Sequence, residues 1–188
     1  MTKLSRDKRG TLQGTRMHKR EHVENVLPPV IDRESRVLLL GSMPSPKSRA
    51  IGFYFGNPQN RFWRVMAGLW GENLPDTIDE KRDFCHRHHI ALCDVLASCD
   101  IVGASDASIE NPVPNAIDML LAQADIVRIF TLGGAATRLY RRFILPDSKI
   151  ASVPLPSTSP AHACMTLDDL IEAFSEVKEA ADGANVSK

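Results

Sequence analysis

Side chains that could do chemistry stand in segments of this sequence that are rich in glycine, proline and serine. His162 follows a run of hydroxyl residues, and an imidazole that titrates near neutral pH could donate a proton to a leaving group. Asp94 lies near the end of an apolar run, where its carboxylate could contact a ligand or a water molecule. Both also suit structural roles, since a single histidine in such a loop is often exposed and an aspartate can cap a loop. The two residues therefore favour, but do not establish, proton transfer at a loop-built site.

Signatures of several other enzyme classes are absent from the sequence. It has no GxxxxGKS/T phosphate loop, no GxGxxG dinucleotide fingerprint and no HExxH zinc motif. Its four cysteines lack CxxC spacing, which argues against a zinc ribbon or an iron–sulfur cluster and favours buried free thiols. We therefore expect neither a metal nor an organic cofactor. The cysteines are Cys85, Cys93, Cys99 and Cys164.

Four short apolar runs predict buried β-strands, and helical periodicity lies between them. Strands that alternate with helices are typical of a parallel sheet covered on both faces. The predicted fold class is α/β, a three-layer α/β/α arrangement with a central, mostly parallel four-stranded sheet. The predicted strands are residues 37–40, 90–96, 126–132 and 150–155, and helical spacing is found within residues 62–69, 79–88, 117–121, 139–143 and 167–181.

The segments that follow these strands contain many of the residues that shape binding loops. In parallel sheets the ligand site lies beyond the carboxyl ends of the strands. The segments leaving those ends are residues 41–58, 94–114, 133–134 and 156–164, and residues 100–114 are predicted to be a loop. We expect one site where these segments meet.

The length of 188 residues fits one domain with short additional ends. We predict a basic, flexible arm over residues 1–28, a folded domain over residues 29–182 and a tail over residues 183–188. The formal net charge is zero, but the arm is rich in lysine and arginine, so it either adds affinity for phosphates or is a solvated tail. No apolar run approaches the ~20 residues of a membrane span, and no secretory apolar core is present, so the cytoplasm is the expected location.

Two segments carry a resemblance to a known enzyme superfamily. The first has Gly-Ser-Met-Pro-Ser at residues 41–45, Phe-Tyr-Phe-Gly at 53–56 and Asn-Pro-Gln-Asn-Arg-Phe-Trp at 57–63. The second is Leu-Pro-Ser-Thr-Ser-Pro-Ala-His at residues 155–162. They resemble the two motifs of the uracil-DNA glycosylase superfamily. The Ser-Met-Pro and Asn-x-Phe-Trp forms are most similar to its hypoxanthine-DNA glycosylase (DNA-deoxyinosine glycosylase) branch.

The resemblance includes residues 91–95 and 111–115 and spans residues 36 to about 175. It implies a monofunctional DNA glycosylase, which flips a deaminated base (hypoxanthine, uracil or both) out of DNA and hydrolyses its bond to the sugar, leaving an abasic site. DNA, duplex or single-stranded, is the implied partner; no membrane is implied, and a monomer is expected. Lys47 is the only lysine in either motif region, so we expect water rather than a lysine to attack the sugar.

One departure from the uracil-specific pattern changes which residue is expected to hold the attacking water. Uracil-specific relatives have Gly-x-Asn-Pro or Gly-x-Asp-Pro, whereas Ser42 and Met43 precede Pro44 here. The resemblance to the hypoxanthine branch transfers this polar role to Asn60, which could also cap the helix that follows it. The implied catalytic residues are Asn60, Asp94 and His162.

Further residues are expected to hold the base or to bind the DNA strand. A flipped base needs an aromatic platform, for which Tyr54 is the first choice and Phe53 or Phe55 the alternatives. Asn57 and Asn115 also suit turns or helix caps. The implied base pocket comprises Gly41, Ser42, Met43, Pro44, Ser45, Tyr54, Phe55, Asn57 and Asn115. The implied DNA-binding residues are Arg61, Ser157, Thr158, Ser159 and Pro160.

Two other functions stay open at the level of sequence. The absence of Asn or Asp beside Pro44 is compatible with a catalytically weak or inactive DNA-lesion-binding module of the same fold. A flavodoxin-like small-molecule hydrolase or nucleotide-binding protein is a further alternative, although the expected phosphate signatures are missing.

Overall fold

Four parallel strands form the central sheet of the computed structural model, which describes residues 19–183. In chain order the elements are β1 (Arg20–Glu24), β2 (Val37–Gly41), α1 (Pro46–Ile51), α2 (Phe62–Trp70), α3 (Ile78–Arg87), β3 (Ile90–Asp94), β4 (Leu96–Val102), β5 (Glu110–Pro114), α4 (Ile117–Leu121), β6 (Arg128–Leu132), α5 (Gly133–Phe143), α6 (Leu145–Ser148), β7 (Ser152–Leu155), α7 (Leu167–Ala173) and α8 (Ser175–Ala181). The central sheet has the order β3-β2-β6-β7. Each predicted apolar run forms one of its strands, which confirms the predicted α/β fold.

The strand β2 shows why the sheet is covered on both faces. All of its residues are buried, and successive side chains point to opposite faces of the sheet. Leu39 packs in the core shared with α2, α3, α7 and α8. Leu38 and Leu40 pack in the core shared with α4, α5 and β4. A continuous apolar run is therefore what this central position requires.

A second sheet is antiparallel and has the order β1-β4-β5. The prediction that residues 100–114 form a loop is wrong at both ends, because β4 continues to Val102 and β5 begins at Glu110. Most of β5 is exposed, and it contains two prolines, so it lacks the apolar alternation that indicates a strand.

The strand β1 extends the folded unit to the N-terminal side of the predicted boundary at residue 29. Each of its residues pairs with β4, and Val23 lies opposite Cys99. Val23 is the one buried residue of this strand, so the segment has the composition of a polar arm. The rest of the predicted arm, residues 1–18, and residues 184–188 of the predicted tail lie outside the described residues.

Smaller differences concern helix ends and thiols. The helical pattern over residues 167–181 is two helices, α7 and α8, which meet at Phe174. Three cysteines are buried free thiols as predicted, whereas Cys164 is exposed.

Within residues 19–183 no group of three His, Cys, Asp or Glu side chains is placed to hold a metal ion. No helix in this part of the chain is long and apolar enough to cross a membrane.

Candidate active site

A cleft lies where β2, β3, β6 and β7 end, at the predicted meeting point of the loops. Its volume is about 130 Å³. One water molecule occupies about 30 Å³ in the liquid, so the cleft is several times larger than a water site. The lining residues are Gly41, Ser42, Met43, Pro44, Ser45, Ser48, Tyr54, Phe55, Asn60, Asp94, Ile101, Ala104, Asp106, Leu132, Ser157, Thr158 and Ser159.

The loop after β2 is shaped by a glycine at its start and a helix cap at its end. Ser45 is the N-cap of α1, and its hydroxyl oxygen accepts a hydrogen bond from the backbone N–H of Ser48 at 3.2 Å. At Gly41, a Cβ atom would lie 2.4 Å from Asp94 Oδ1, closer than real Cβ contacts. The lack of a side chain at Gly41 therefore lets β3 present its terminal carboxylate against this loop.

Asp94 supplies a buried carboxyl group to the wall of the cleft. The residue is 3% exposed, and its Oδ2 accepts a hydrogen bond from Asn25 Nδ2 at 3.2 Å. Burial raises the pKa of Asp94 to about 7, while the bond from Asn25 lowers this pKa and the negative charge of Asp106 raises it. Oδ1 has no hydrogen-bond partner within residues 19–183. A carboxyl group with this pKa is suited to exchange a proton at neutral pH.

Asn60 lines the cleft, and its side chain also contacts the first residue of α2. Its Oδ1 accepts a hydrogen bond from the backbone N–H of Phe62 at 2.9 Å, and its own N–H donates to the carbonyl of Asn57 at 2.7 Å. Because a backbone N–H needs an acceptor, the oxygen of the amide must face the helix. This bond fixes the orientation of the Asn60 side chain in a turn that leads into α2, whose N-cap is Arg61.

Two aromatic residues line the cleft in different ways. Tyr54 is 2% exposed, and its hydroxyl donates to the carbonyl of Leu27 at 3.3 Å. Burial raises the pKa of Tyr54 well above its usual range. Phe55 is half-buried and stacks on Phe62, with ring centroids 3.9 Å apart and planes 20° from parallel. Tyr54 is thus fixed in the wall, whereas Phe55 has the supported, partly open ring that a base platform needs.

The second motif contributes its three hydroxyl residues, Ser157, Thr158 and Ser159, to the cleft. The carbonyl of Thr158 accepts a hydrogen bond from the backbone N–H of Arg61 at 3.0 Å, which joins the two motifs. Ser157 Oγ accepts a hydrogen bond from the backbone N–H of Ser159 at 3.2 Å. Exposed Pro160 follows these residues but does not line the cleft.

Neither Arg61, expected to bind DNA, nor His162, expected to be catalytic, is among the residues that line the cleft. The guanidinium of Arg61 donates to the carbonyls of His162, at 2.6 Å, and Met165. The imidazole Nε2 of His162 lies 3.3 Å from Cys164 Sγ. In this geometry Arg61 braces the second motif, and His162 is not among the groups that line the cleft.

Two predicted pocket residues also lie outside the lining. Asn57 Oδ1 accepts hydrogen bonds from the backbone N–H of Gln59 at 3.2 Å and from Lys47 Nζ at 3.4 Å, so its side chain forms a turn. Asn115 Nδ2 donates to the carbonyl of Asp94 at 3.2 Å. Asn115 therefore supports the end of β3 from behind, without capping α4, whose N-cap is Ala116.

The sequence around this cleft matches a known protein family. A model of the uracil-DNA glycosylase superfamily matches residues 28–178. The chain belongs to this superfamily. It is therefore an enzyme of the DNA glycosylase class, and DNA is its substrate polymer.

Individual relatives of this superfamily member come from two Methanosarcina species. A hypoxanthine DNA glycosylase from Methanosarcina acetivorans is 31% identical over 141 residues, which cover 74% of this chain and 89% of the relative. A hypoxanthine DNA glycosylase from Methanosarcina barkeri is 31% identical over 114 residues, which cover 60% and 72%. The solution NMR structure of a candidate uracil-DNA glycosylase from M. acetivorans superposes with a TM-score of 0.68 at 27% identity, covering 81% of this chain and 96% of that one.

This glycosylase cleft also contains groups that the sequence reasoning missed. Asp106 lies in a short 3-10 turn after β4, and its Oδ1 accepts a hydrogen bond from Ser42 Oγ at 2.7 Å. Asn25, the residue after β1, donates a hydrogen bond to Asp94. The pairing of β1, β4 and β5 brings both residues to this place. The sequence around each of them has no local pattern that indicates a site. The other missed lining residues are Ser48, Ile101, Ala104 and Leu132.

Proposed function

We propose that this enzyme is a monofunctional DNA glycosylase that excises hypoxanthine from DNA and leaves an abasic site. The observation that carries the proposal is the meeting of Asn60, Asp94 and Phe55 in one cleft at the ends of the parallel strands. Both curated relatives described above are hypoxanthine DNA glycosylases, which supports a deaminated purine as the substrate.

In this proposal Phe55 and Asp94 receive the flipped base. The ring of Phe55, supported from behind by Phe62, stacks on the purine. Hypoxanthine presents an N1–H donor beside its O6 acceptor. Oδ1 of Asp94 accepts from this N–H when it is ionised and donates to the oxygen when it is protonated, and a pKa of about 7 makes both forms available.

Asn60 is proposed to hold the water that attacks C1′ of the deoxyribose. The bond between C1′ and N9 breaks, and its electron pair leaves with the base. Water forms the new bond between its oxygen and C1′, and the proton that the water loses neutralises the departing base anion. Because α2 fixes the Asn60 amide, a water bound to it is held in one direction, which lowers the entropy cost of attack. Negative charge developing on the departing base is stabilised by the polar groups lining the cleft.

A water mechanism is supported by the position of the lysines. No lysine of the described residues lines the cleft, and Lys47 of the first motif is directed to Asn57. Lyase activity through an amine nucleophile would require such a group next to C1′. Borohydride trapping therefore should yield no covalent complex with DNA, and a trapped complex would overturn the water mechanism.

Base release from duplexes with a single hypoxanthine or uracil tests the proposal. We expect the wild type to produce alkali-labile sites at hypoxanthine, and Asn60→Ala to reduce the single-turnover rate by about a hundredfold or more. Asn73→Ala, an exposed loop residue outside the cleft, is the matched control. Preference for uracil would refute the proposed substrate, and full activity of Asn60→Ala would refute the role of Asn60.

A further inference from the structure

Asn25, the residue after β1, makes hydrogen bonds with both ends of its side-chain amide, and one of them reaches the cleft residue Asp94. Its Nδ2 donates to Asp94 Oδ2 at 3.2 Å and to the carbonyl of Leu96 at 3.4 Å. Its Oδ1 accepts a hydrogen bond from the backbone N–H of Leu27 at 3.0 Å, and its backbone N–H donates to the carbonyl of Ala97 at 2.7 Å. The amide is therefore fixed in position and can hold the carboxylate with one orientation.

The segment that contains Asn25 contacts the cleft wall at a second point. The carbonyl of Leu27 accepts the hydroxyl hydrogen bond of Tyr54, which is itself a lining residue. Residues 25–27 precede the residues 28–178 that match the superfamily model. Two lining residues, Asp94 and Tyr54, are thus contacted by a segment outside the region by which the superfamily is recognised.

The contact with Asn25 decides which carboxylate oxygen of Asp94 faces a ligand. Oδ2 is held by Asn25, whereas Oδ1 lies against Gly41 and has no partner among the described residues. Without the amide, the carboxyl group could rotate and present either oxygen, protonated or not. An acceptor that is fixed in advance binds a flipped base more tightly than one that must first be ordered.

We propose that Asn25 is a positioning residue for excision of hypoxanthine, acting through Asp94 by holding Oδ2 so that Oδ1 meets the flipped base. This inference rests on the proposed function, because it requires Asp94 to contact the base. It assigns to the segment before residue 28 a part in the active site, in addition to its part in the second sheet.

The charged and titratable groups around Asp94 set its pKa, and a change in this pKa can therefore report the role of Asn25. Asp106, from the turn after β4, raises the pKa of Asp94, and Asn25, the residue after β1, lowers it. Two further titratable groups lie near Asp94: Tyr54, from the loop before α2, and Cys93, from β3. Burial raises the pKa of both. Loss of the Asn25 amide is therefore expected to move the titration of Asp94 to higher pH.

Two substitutions separate the amide donor from the structure that holds it. Asn25→Asp keeps the shape and the acceptor for Leu27 but replaces the donor with a second carboxylate. Asn25→Ala removes both functions without adding charge. His22→Ala is the control, since His22 also joins β1 to β4, through Asp100 at 2.8 Å, but does not line the cleft.

The rate of hypoxanthine release would be measured under single-turnover conditions from pH 5 to 9. We expect both Asn25 variants to release hypoxanthine about tenfold more slowly or worse at neutral pH, with an inflection raised by about one pH unit or more. Asn25→Asp should show the larger shift, and His22→Ala should match the wild type. A loss of rate without a shifted inflection would assign Asn25 a merely structural role and overturn the proposal.

Carbon-13 NMR titration of the Asp94 carboxyl group gives a readout that does not depend on activity. We expect its midpoint to rise in both Asn25 variants and to stay unchanged in His22→Ala. An unchanged midpoint in both Asn25 variants would overturn the proposal. If the wild type released no hypoxanthine, the proposed function would fail and the proposed role in excision with it, while the titration would still establish whether Asn25 controls Asp94.

Discussion

Gly41 and Asp94 lie so close together that a methyl group on Gly41 would come within 2.4 Å of Asp94 Oδ1. The two residues are partners in the parallel register of β2 and β3, so the sheet holds both backbones in place. The missing side chain at the end of one strand thus creates the space for the functional carboxylate at the end of the next.

The first prediction concerns this contact. Gly41→Ala forces the Asp94 carboxylate to move, and we expect it to cost about 1–3 kcal/mol of unfolding free energy and to reduce base release at least tenfold. Urea unfolding and single-turnover assays measure the two effects. In Gly134→Ala, the new Cβ meets only the mobile end of Arg138 at 3.4 Å, so this control should keep its stability. Wild-type behaviour of Gly41→Ala would show that the carboxylate can move freely.

The second prediction concerns the pH dependence of stability. The pKa of Asp94 is about 7 in the folded enzyme and about 3.9 in an unfolded chain, so between these values the folded state binds more protons. Its contribution to stability therefore decreases as the pH rises from about 4 to about 7. Asp94→Asn should gain stability relative to the wild type over this interval, by up to about 4 kcal/mol.

Urea unfolding of both proteins at pH 5, 6, 7 and 8 measures this difference. Asp125→Asn changes an exposed carboxylate outside the cleft and is the control. A stability difference between Asp94→Asn and the wild type that stays constant with pH would mean that Asp94 titrates normally.

The third prediction separates the two aromatic residues of the cleft. Phe55→Ala should slow excision of hypoxanthine by about tenfold to a hundredfold, because a stacked base contributes about 1–3 kcal/mol. Affinity for the same duplex without a lesion should not change, since the platform acts on the flipped base alone. Phe143→Ala, at a half-buried phenylalanine beyond the cleft, controls for general loss of packing. Equal losses in the two variants would contradict a platform role for Phe55.

The fourth prediction concerns Arg61, which the sequence placed among the DNA-binding residues. Its guanidinium is occupied by the carbonyls of His162 and Met165. Arg61→Lys keeps the positive charge but loses the forked donor, so the melting temperature should fall. Arg61→Ala should leave the salt dependence of DNA affinity as in the wild type, whereas a direct phosphate contact would reduce its logarithmic slope by about one.

The sequence determined the central sheet because its signal is local. A strand buried on both faces must be apolar at nearly every residue, and β2 and β3 are such runs. The motif segments were found for a related reason, since the close contact of Gly41 with Asp94 and the turn that Asn60 forms before α2 restrict which residues can stand there. The alternation of strands and helices then placed both motifs at one edge of the sheet.

Tertiary structure alone decided which of the candidate residues meet. Asn25 reaches Asp94, and Asp106 reaches the cleft, only because β1, β4 and β5 pair. The polar, largely exposed β1 and β5 have no apolar pattern. His162 stands in a motif but lies outside the lining, and Phe55 rather than Tyr54 has an open supported ring. Side-chain direction and long-range pairing depend on contacts between residues far apart in the chain, so spacing along the sequence does not encode them.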